Sequence, residues 1–278
     1  MSTVSATTPD DRLIFDRPPL RAKRCRHGAM LYLATDRYVG GSLDRYGEFS
    51  EAETALFAQI VKPGMTVLDL GANMGAHTIY FAQAVGTTGC VVAFEPQRII
   101  HQILCANVAL NALPNVVTHQ ACIGRAAGTV LVPPLNYGAE NNIGGLTLGA
   151  STAGEPVPQL TLDSLALAHC HFVKIDVEDM EAEVLEGGRA TLTRHRPILY
   201  VENDREEKSA ALIALLFELG YRLFWHLPPL FNPGNYFGVQ HNVFGNTVSV
   251  NMIGVPKSMN SSLTDFKEVT SPADRWRS

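Results

Sequence analysis

The chain has 278 residues, of which 46% are hydrophobic and 18% are charged, and its formal net charge is −5 at pH 7. This is the composition of a globular protein long enough to bury a substantial core, and the negative charge gives no general attraction to nucleic acid or to an anionic membrane. No apolar run approaches the roughly 20 residues that cross a bilayer, and the N-terminal residues lack the pattern of a secretory signal. The sequence therefore predicts a cytoplasmic protein with no membrane span and no nucleic-acid partner.

Residues 1–45 are predicted to form an irregular segment. From residue 50 a regular alternation begins, and the pair Ser50 and Glu53 has the spacing of a capping box, which predicts a helix over "SEAETALFAQI". The predicted elements that follow are the strand "MTVLDL", a helix from about Gly75 to Ala84, the strand "CVVAFE", a helix over "QRIIHQILCANVALN", and the strands "NVVTHQACI" and "GTVLVP".

Residues 134–158 are rich in Gly, Asn and Pro, which predicts a long loop or hairpin. After them come the predicted strand "CHFVKID", a helix over "EAEVLEGGRATL", the strand "PILYVE", a helix over "EKSAALIALLFELG", and an antiparallel edge pair, "YRLFWH" and "TVSVNMIGV". Strands that alternate with helices predict parallel βαβ units with helices on both faces, so the fold class is α/β. Residues 46–256 are assigned to this domain, and residues 257–278 to a polar, frayed tail.

The stretch "VLDLGANMGAH" contains an acid near the end of the first of these strands, Asp69, and then a turn from Gly71 to Gly75 into a helix. Glycines let a backbone approach a ligand closely, and the helix N-terminus offers free N–H donors. The next strand ends in Glu95, which is placed to accept hydrogen bonds from ribose hydroxyls, because ligands of such sheets bind at the carboxyl ends of the strands. These residues predict a nucleoside-containing ligand.

The spacing within the turn separates two kinds of nucleoside ligand. A dinucleotide site has the pattern G-x-G-x-x-G, whereas this turn reads G-x-x-x-G, with Asn73 at the position of the second glycine. The Asn73 side chain obstructs a phosphate but can bind a carboxylate, and Asp69 suits an ammonium group, either directly or by bracing the turn. These features favour S-adenosylmethionine. A nicotinamide-dependent dehydrogenase, a non-enzymatic binding module and a purely structural turn remain the alternatives.

A second group of charges lies in "FVKIDVEDMEAEVLEGG". Lys174 and Asp176 face the same side of the predicted strand, because side chains alternate along a strand. Paired charges within an apolar strand are uncommon without a function, although a buried structural ion pair is the alternative. The acids that follow, Glu178, Asp179 and Glu181, complement the dipole of a helix N-terminus.

Taken in order, "VLDLGANMGAHT", "VVAFEP", "LCANVALN", "LTLDSL", "FVKIDVEDMEAEVLEGG" and "PILYVEN" resemble the FkbM-type S-adenosylmethionine-dependent methyltransferases, many of which are O-methyltransferases. The resemblance covers about residues 45–256. It implies a Rossmann-like class I methyltransferase fold with a seven-stranded, mostly parallel sheet. The sequence departs from the family at Asp179, where the family usually has glycine. If that position has a positive φ, Asp tolerates this conformation better than most residues. The cofactor residues that the resemblance implies are Asp69, Gly71, Asn73 and Glu95, with Ala121 and Cys122 beside the adenine; Gly75 and Asp176 complete the predicted set.

Methyl transfer from a sulfonium to a hydroxyl requires alignment of the acceptor and removal of its proton. The catalytic candidates at strand ends are Asp176, Glu202 and His226, with Lys174 as a partner of the acids. A magnesium alternative comes from Asp176, Glu202 and Asn203, which resemble the metal trio of catechol-type O-methyltransferases and are oxygen ligands that suit a hard cation. The metal-free version is favoured. The cluster His169–His171 lies at the opposite end of its strand and is predicted to be structural.

Residues 228–245 are rich in aromatic and asparagine side chains, which suit a sugar or another polyhydroxylated acceptor, although an ordinary edge loop explains them as well. The sequence as a whole predicts an S-adenosylmethionine-dependent O-methyltransferase that acts on a hydroxyl of a glycan or a secondary metabolite.

Overall fold

The computed structural model describes residues 12–148, 152–259 and 263–277. Its N-terminal part is an antiparallel sheet of β1 (Leu13–Arg17), β2 (Leu20–Cys25) and β3 (Gly28–Leu33), followed by the helix α1 (Val39–Tyr46). The prediction that residues 1–45 are irregular is therefore wrong from residue 13 onward, and residues 1–11 lie outside the described residues.

The strand β2 was not predicted because its sequence is a run of basic residues. Arg21 Nη1 and Lys23 Nζ lie 2.9 and 3.1 Å from Asp44 Oδ1, on α1. Between them, the Ala22 side chain is buried. These two positive charges are therefore paired with an acid on α1. The composition of the basic run does not reveal that pairing.

The remaining elements begin with α2 (Glu51–Ile60), as predicted. In chain order, they continue with β4 (Thr66–Leu70), α3 (Ala76–Val85), β5 (Cys90–Phe94), α4 (Arg98–Leu110), β6 (Val116–His119), β7 (Cys122–Ile123), β8 (Gly128–Val132), β9 (Glu155–Leu160), β10 (Phe172–Ile175), α5 (Glu181–Glu186), α6 (Arg189–His195), β11 (Ile198–Glu202), α7 (Glu206–Glu218), β12 (Tyr221–His226), β13 (Asn251–Pro256) and β14 (Glu268–Val269).

In the described residues the central sheet has eight strands, in the order β14-β12-β13-β11-β10-β4-β5-β6. The strands from β11 to β6 are parallel, and β13 runs antiparallel between β11 and β12. The prediction of a mostly parallel sheet with an antiparallel pair near one edge is confirmed. The eighth strand is the two-residue β14, which pairs with β12 beyond the seven strands predicted.

Two hydrophobic cores cover the two faces of this sheet. On one face Leu68 and Val173 pack with apolar residues of α5, α6 and α7. On the other face Val67 and Phe172, their neighbours in sequence, pack with residues of α2 and α3. Since successive side chains of a strand point to opposite faces, a continuous apolar run is needed when helices cover both. Among the described residues, none of the helices combines the length and the hydrophobicity of a membrane span.

Three local predictions are corrected by the structure. The predicted strand over residues 128–133 exists, but it belongs to a separate small sheet of order β7-β9-β8. The predicted loop over residues 134–158 ends early, because β9 begins at Glu155; residues 149–151 lie outside the described residues. The single helix predicted over "EAEVLEGGRATL" is two helices that meet at Gly187, where a side chain would overlap the backbone oxygen of Gly124.

The C-terminal tail is also more ordered than predicted. Over residues 263–277, β14 adds to the central sheet and the Trp276 ring lies 5.8 Å from that of Trp225. Phe266 packs against the same core face as α2 and α3. The prediction of a frayed tail is wrong for these residues, because their apolar side chains have a surface to cover; residues 260–262 and 278 lie outside the described residues.

Candidate active site

A cleft of about 420 Å³ opens beyond the carboxyl ends of β4, β5, β10 and β11. This is the edge at which open α/β sheets bind ligands. The predicted residues that line it are Gly71, Asn73, Glu95, Ala121, Cys122, Lys174, Asp176 and Glu202. Four predicted residues lie outside its wall: Asp69, Gly75, Asn203 and His226.

The turn after β4 places bare backbone at the edge of the cleft. Gly71 and Gly75 have φ angles of 77° and 88°, and Asn73 has a φ of 51°. A side chain at Gly71 would overlap the backbone oxygen of Asp176, so the turn and the end of β10 approach each other as only glycine permits. Oδ1 of Asn73 accepts a hydrogen bond from the Met74 N–H, which holds this side chain over the start of α3.

Glu95 is a buried carboxylate at the end of β5. Its Oε2 accepts the N–H of Asn73 at 3.0 Å, and its Oε1 accepts the N–H of Gln97 at 2.8 Å. Burial raises the pKa of Glu95 to about 7, against the opposing effect of these two donors. The carboxylate is thus held in one orientation beside an apolar slot, whose residues are Phe94, Ala121, Cys122, Ile123, Leu146, Leu148 and Met180.

The loop predicted after residue 134 is held over this slot. Asp36 accepts the N–H of Ile143 at Oδ1 and the N–H of Gly40 at Oδ2, at 3.1 and 2.8 Å. Gln97 Nε2 donates to the Ile143 carbonyl at 2.9 Å. Sequence reasoning missed Asp36 and Gln97, because nothing local distinguishes them from ordinary surface polar residues.

Asp69 lies beneath the cleft and is fully buried. Its Oδ2 accepts the Thr78 hydroxyl of α3 at 2.6 Å, and its Oδ1 lies 3.6 Å from Lys174 Nζ. Of the two roles predicted for Asp69, this geometry matches bracing of the turn, and it contradicts direct contact with a cofactor ammonium.

Lys174 connects the two acids of the site. Its Nζ donates to Asp176 Oδ2 at 2.9 Å and to the Gly71 carbonyl at 3.3 Å. Burial by itself would lower the pKa of Lys174, but Asp176 and Asp69 outweigh that effect and raise the pKa above its usual value. A charged lysine therefore neutralises two carboxylates at the floor of the cleft.

Three further side chains line the same floor and were not predicted: Glu53, His77 and Asn251. Oε1 of Glu53 accepts the Asn251 amide at 2.9 Å and the Tyr200 hydroxyl at 3.2 Å, while Oε2 lies 3.3 Å from Nε2 of His77. Ser50 does begin α2, but Glu53 turns into the cleft and does not close the predicted capping box. The capping-box spacing gave Glu53 a structural explanation in the sequence, and Glu53 was therefore not predicted to line the cleft.

The predicted magnesium trio is not assembled. Asn203 is buried outside the cleft, where its Nδ2 donates to Ser209 Oγ at 3.0 Å. Within the described residues, the acids whose oxygens lie within 4.8 Å of one another are Asp176, Glu178 and Glu202. Burial raises the pKa of Glu202 well above its usual value, and Asp176 and Glu178 raise it further. This acidic cluster is the group that could hold a metal ion.

His226 is at the predicted edge of the sheet but behind the cleft. Its Nδ1 lies 2.8 Å from the Tyr200 hydroxyl, and its ring packs on Phe266 at 5.5 Å. It shares a strand face with Phe224, which belongs to the core under α2 and α3. Burial lowers the pKa of His226 to about 4. His226 was predicted as a catalytic candidate at a strand end, but its side chain does not line the cleft.

Two other sequence features have structural explanations. His171 Nδ1 accepts the N–H of Thr66 at 2.9 Å, at the amino ends of the strands, in agreement with a structural role. The aromatic side chains of residues 228–245 pack on the N-terminal part of the chain: Phe244 stacks on Tyr38, and Phe231 contacts Tyr46. These rings are thereby used in holding the segment to α1.

A parallel sheet with one antiparallel strand inserted near its edge, and a ligand cleft with a strand-terminal acid and a glycine turn, define a Rossmann-like class I methyltransferase fold. The methyltransferase FkbM domain matches residues 69–223, and the chain belongs to this family of methyltransferases. In the structure, Asp179 has a φ of 83°, at the position where the family usually has glycine.

Solved structures with a similar fold include methyltransferase FkbM from Methylobacillus flagellatus KT (14% identity, covering 73% of this chain and 50% of that chain, TM-score 0.46). The O-methyltransferase TomG from Streptomyces achromogenes, in complex with S-adenosylmethionine, is 12% identical (74% and 78% covered, TM-score 0.45). A methyltransferase from Aquifex aeolicus is 16% identical (77% and 92% covered, TM-score 0.40). The chain spans half the length of the Methylobacillus protein. Comparison with curated proteins finds no match.

Proposed function

We propose that the protein is an S-adenosylmethionine-dependent O-methyltransferase that acts on a hydroxyl of a small polar acceptor, such as a glycan or a secondary metabolite. The observation that carries the cofactor assignment is Glu95, a carboxylate held by two backbone donors between a glycine turn and an apolar slot. A fixed acceptor of this kind suits the two hydroxyls of a ribose, and the slot suits an adenine ring.

The residues of the cleft fit the other parts of this cofactor. Backbone N–H groups at the start of α3 and the Asn73 side chain suit its carboxylate. Asp176 suits its ammonium group, because this carboxylate is 38% exposed and is held at the cleft by Lys174. When bound, S-adenosylmethionine supplies an electrophilic methyl group on a sulfonium.

The work left to the protein is to align the acceptor in line with that methyl group and to receive the acceptor's proton. The side of the cleft available for an acceptor is bordered by Tyr38, Phe49, Leu230 and residues 247–251. Lys174 and Asp176 line the same cleft next to the glycine turn, a place from which they can orient the reacting atoms. Among the predicted acids, Glu202 is a weaker candidate for the base, because its raised pKa favours the protonated form.

A metal-dependent version of the same reaction would use Asp176, Glu178 and Glu202. Two of these acids already have cationic partners, since Asp176 pairs with Lys174 and Glu178 pairs with Arg205 at 2.9 Å. This pairing favours transfer without a metal.

Isothermal titration calorimetry with S-adenosylhomocysteine and with NADH tests the cofactor assignment. We expect binding of S-adenosylhomocysteine and none of NADH, because Asn73 obstructs a pyrophosphate. Radiolabelled methyl transfer to methyl glycosides, catechols and primary amines then tests the acceptor. Transfer to amines alone would contradict O-methylation, and binding of NADH alone would contradict the cofactor.

A further inference from the structure

The floor of the cleft contains a polar group that the cofactor assignment does not use. Glu53, from α2, and His77, from α3, are each only 5% exposed, yet both line the cleft. They come from the two helices that cover one face of the sheet, and Asn251 joins them from β13. A buried carboxylate costs free energy unless its oxygens are satisfied, so its presence beside a ligand site requires an explanation.

The two carboxylate oxygens of Glu53 have different contacts. Oε1 accepts from the Asn251 amide and from the Tyr200 hydroxyl, which fixes the orientation of the carboxylate. Oε2 faces Nε2 of His77 at 3.3 Å, and this nitrogen has no hydrogen-bond partner among the described residues. Nε2 has Glu53 Oε2 nearby but makes no hydrogen bond with any described residue, and a buried nitrogen in this state in the wall of a ligand cleft indicates a polar atom that a ligand supplies.

A single hydroxyl group would satisfy both atoms. Its O–H would donate to Oε2 of Glu53, and its oxygen would accept from Nε2–H of His77. Burial lowers the pKa of His77 well below its usual value, so the ring is neutral and carries one N–H, which this arrangement would place on Nε2. In the part of the chain that the structure describes, neither residue has a cationic side chain in hydrogen-bond contact that would hold Glu53 permanently ionised.

We propose that Glu53 is the catalytic base that takes the proton from the acceptor hydroxyl, and that His77 binds the oxygen of the same hydroxyl. This proposal rests on the proposed O-methyl transfer. The acceptor O–H bond breaks and its proton passes to Oε2 of Glu53. A lone pair of the acceptor oxygen forms the new bond to the methyl carbon, while the electron pair of the breaking carbon–sulfur bond stays on the sulfur. The proton leaves Glu53 for water once the product has dissociated.

The charges around Glu53 are consistent with a base that works near neutral pH. Burial raises its pKa to about 7, Lys174 opposes this, and Asp176 adds to it. From the other packed elements, Tyr200 has a pKa well above its usual value, and His226 behind it has a pKa of about 4. Neither changes its charge near pH 7, so we expect the transfer rate to rise with pH through the titration of Glu53.

The test is the variant Glu53→Gln, which keeps the shape and can still accept from Tyr200 and Asn251 but cannot take a proton. Methyl transfer to the methyl glycoside or catechol that the wild type turns over fastest should fall in kcat by about 10²–10⁴-fold. The pH dependence of kcat, measured at saturating cofactor, should become flat. Saturation matters because Glu95 also has a raised pKa and binds the cofactor in our assignment.

Two controls separate this role from a structural or cofactor-binding one. Glu51→Gln makes the same change on the same helix, where the carboxylate faces His27 at 2.8 Å, and it should leave kcat unchanged. His77→Gln should raise KM for the acceptor about tenfold and keep the pH dependence, because Glu53 still takes the proton. The affinity of Glu53→Gln for S-adenosylhomocysteine should match that of the wild type.

The results that would overturn the role of Glu53 differ from the result that would overturn the proposed function. A tenfold loss of S-adenosylhomocysteine affinity in Glu53→Gln would place Glu53 at the cofactor and overturn the proposal. Unchanged kcat in Glu53→Gln would overturn it as well, while leaving the proposed function intact. If the wild type binds S-adenosylhomocysteine but transfers methyl groups to none of the hydroxyl probes, O-methylation itself fails, and the role of Glu53 fails with it.

Discussion

Lys174 Nζ lies 2.9 Å from Oδ2 of Asp176, two residues further along the chain. The same ammonium group is 3.6 Å from the fully buried Asp69, so one lysine compensates an acid inside the core and another at the surface of the cleft. Lys174 therefore contributes to stability, because its loss would leave Asp69 buried without a cation.

We expect Lys174→Met to lower the free energy of unfolding by about 3–5 kcal/mol, the usual cost of removing one partner from a buried ion pair. Urea denaturation measures this. Lys208→Met is the matched control: Lys208 pairs with Asp179 at 2.6 Å on the surface, with half of its side chain exposed, and its removal should cost at most about 1 kcal/mol. Equal losses in the two variants would contradict the compensating role of Lys174.

Glu95→Ala should weaken binding of S-adenosylhomocysteine by about 1.5–3 kcal/mol, the range for hydrogen bonds to a charged group. Calorimetry measures the affinity. The control is Glu155→Ala, since Glu155 is an exposed acid that pairs with Arg98 at 3.0 Å outside the cleft. If Glu95→Ala binds as tightly as the wild type, Glu95 does not hold the ribose.

Substitution of two glycines with positive φ distinguishes the stability cost of backbone strain from the stability cost of a close backbone contact. Gly86 has a φ of 64° and a ψ of −169°, a conformation that is essentially restricted to glycine, and open space where a Cβ would lie, so Gly86→Ala should cost about 1–3 kcal/mol of stability through backbone strain alone. Gly71→Ala adds overlap with the Asp176 backbone at a similar φ of 77°. We expect a larger loss of stability by thermal denaturation, together with loss of S-adenosylhomocysteine binding. Retained binding would show that the turn is not part of the cofactor site.

The raised pKa of the buried Glu53 carboxyl predicts that the free energy of unfolding of the wild type, relative to that of Glu53→Gln, depends on pH. Its pKa is raised from 4.5 to about 7 in the folded protein, so the folded state holds a proton that the unfolded state loses first. Stability from this group is therefore present below about pH 4.5 and declines as the pH rises to about 7. Relative to Glu53→Gln, the wild type should lose about 3 kcal/mol across that window. Urea denaturation at several pH values measures the difference, and a constant difference would contradict the raised pKa.

Chelation should leave methyl transfer unchanged. Lys174 and Arg205 already pair with two of the three clustered acids, so the cluster has less need of a metal ion. The assay is methyl transfer to the best hydroxyl probe before and after EDTA. Activity that is lost with EDTA and restored by Mg²⁺ would support the metal-dependent version instead.

The order of motifs along the chain was enough to predict the parallel sheet, the family and the edge of the sheet at which the cleft lies. These features depend on short-range patterns: apolar runs give strands, and the turn from Gly71 to Gly75 follows directly on its strand. Glu95 was predicted to lie at this edge for the same reason, since an acid at the end of a strand is visible in a single stretch of sequence, and it does line the cleft.

Only the tertiary structure decided which side chains line the floor of the cleft. Glu53, His77 and Asn251 come from three different elements, α2, α3 and β13, and each has an ordinary local explanation. His226 was placed correctly at a strand end, but it shares a strand face with Phe224 and points away from the cleft, where it is half-buried behind Tyr200. Side-chain direction and long-range pairing are set by how helices pack on the sheet, and a pattern of neighbouring residues does not contain that information.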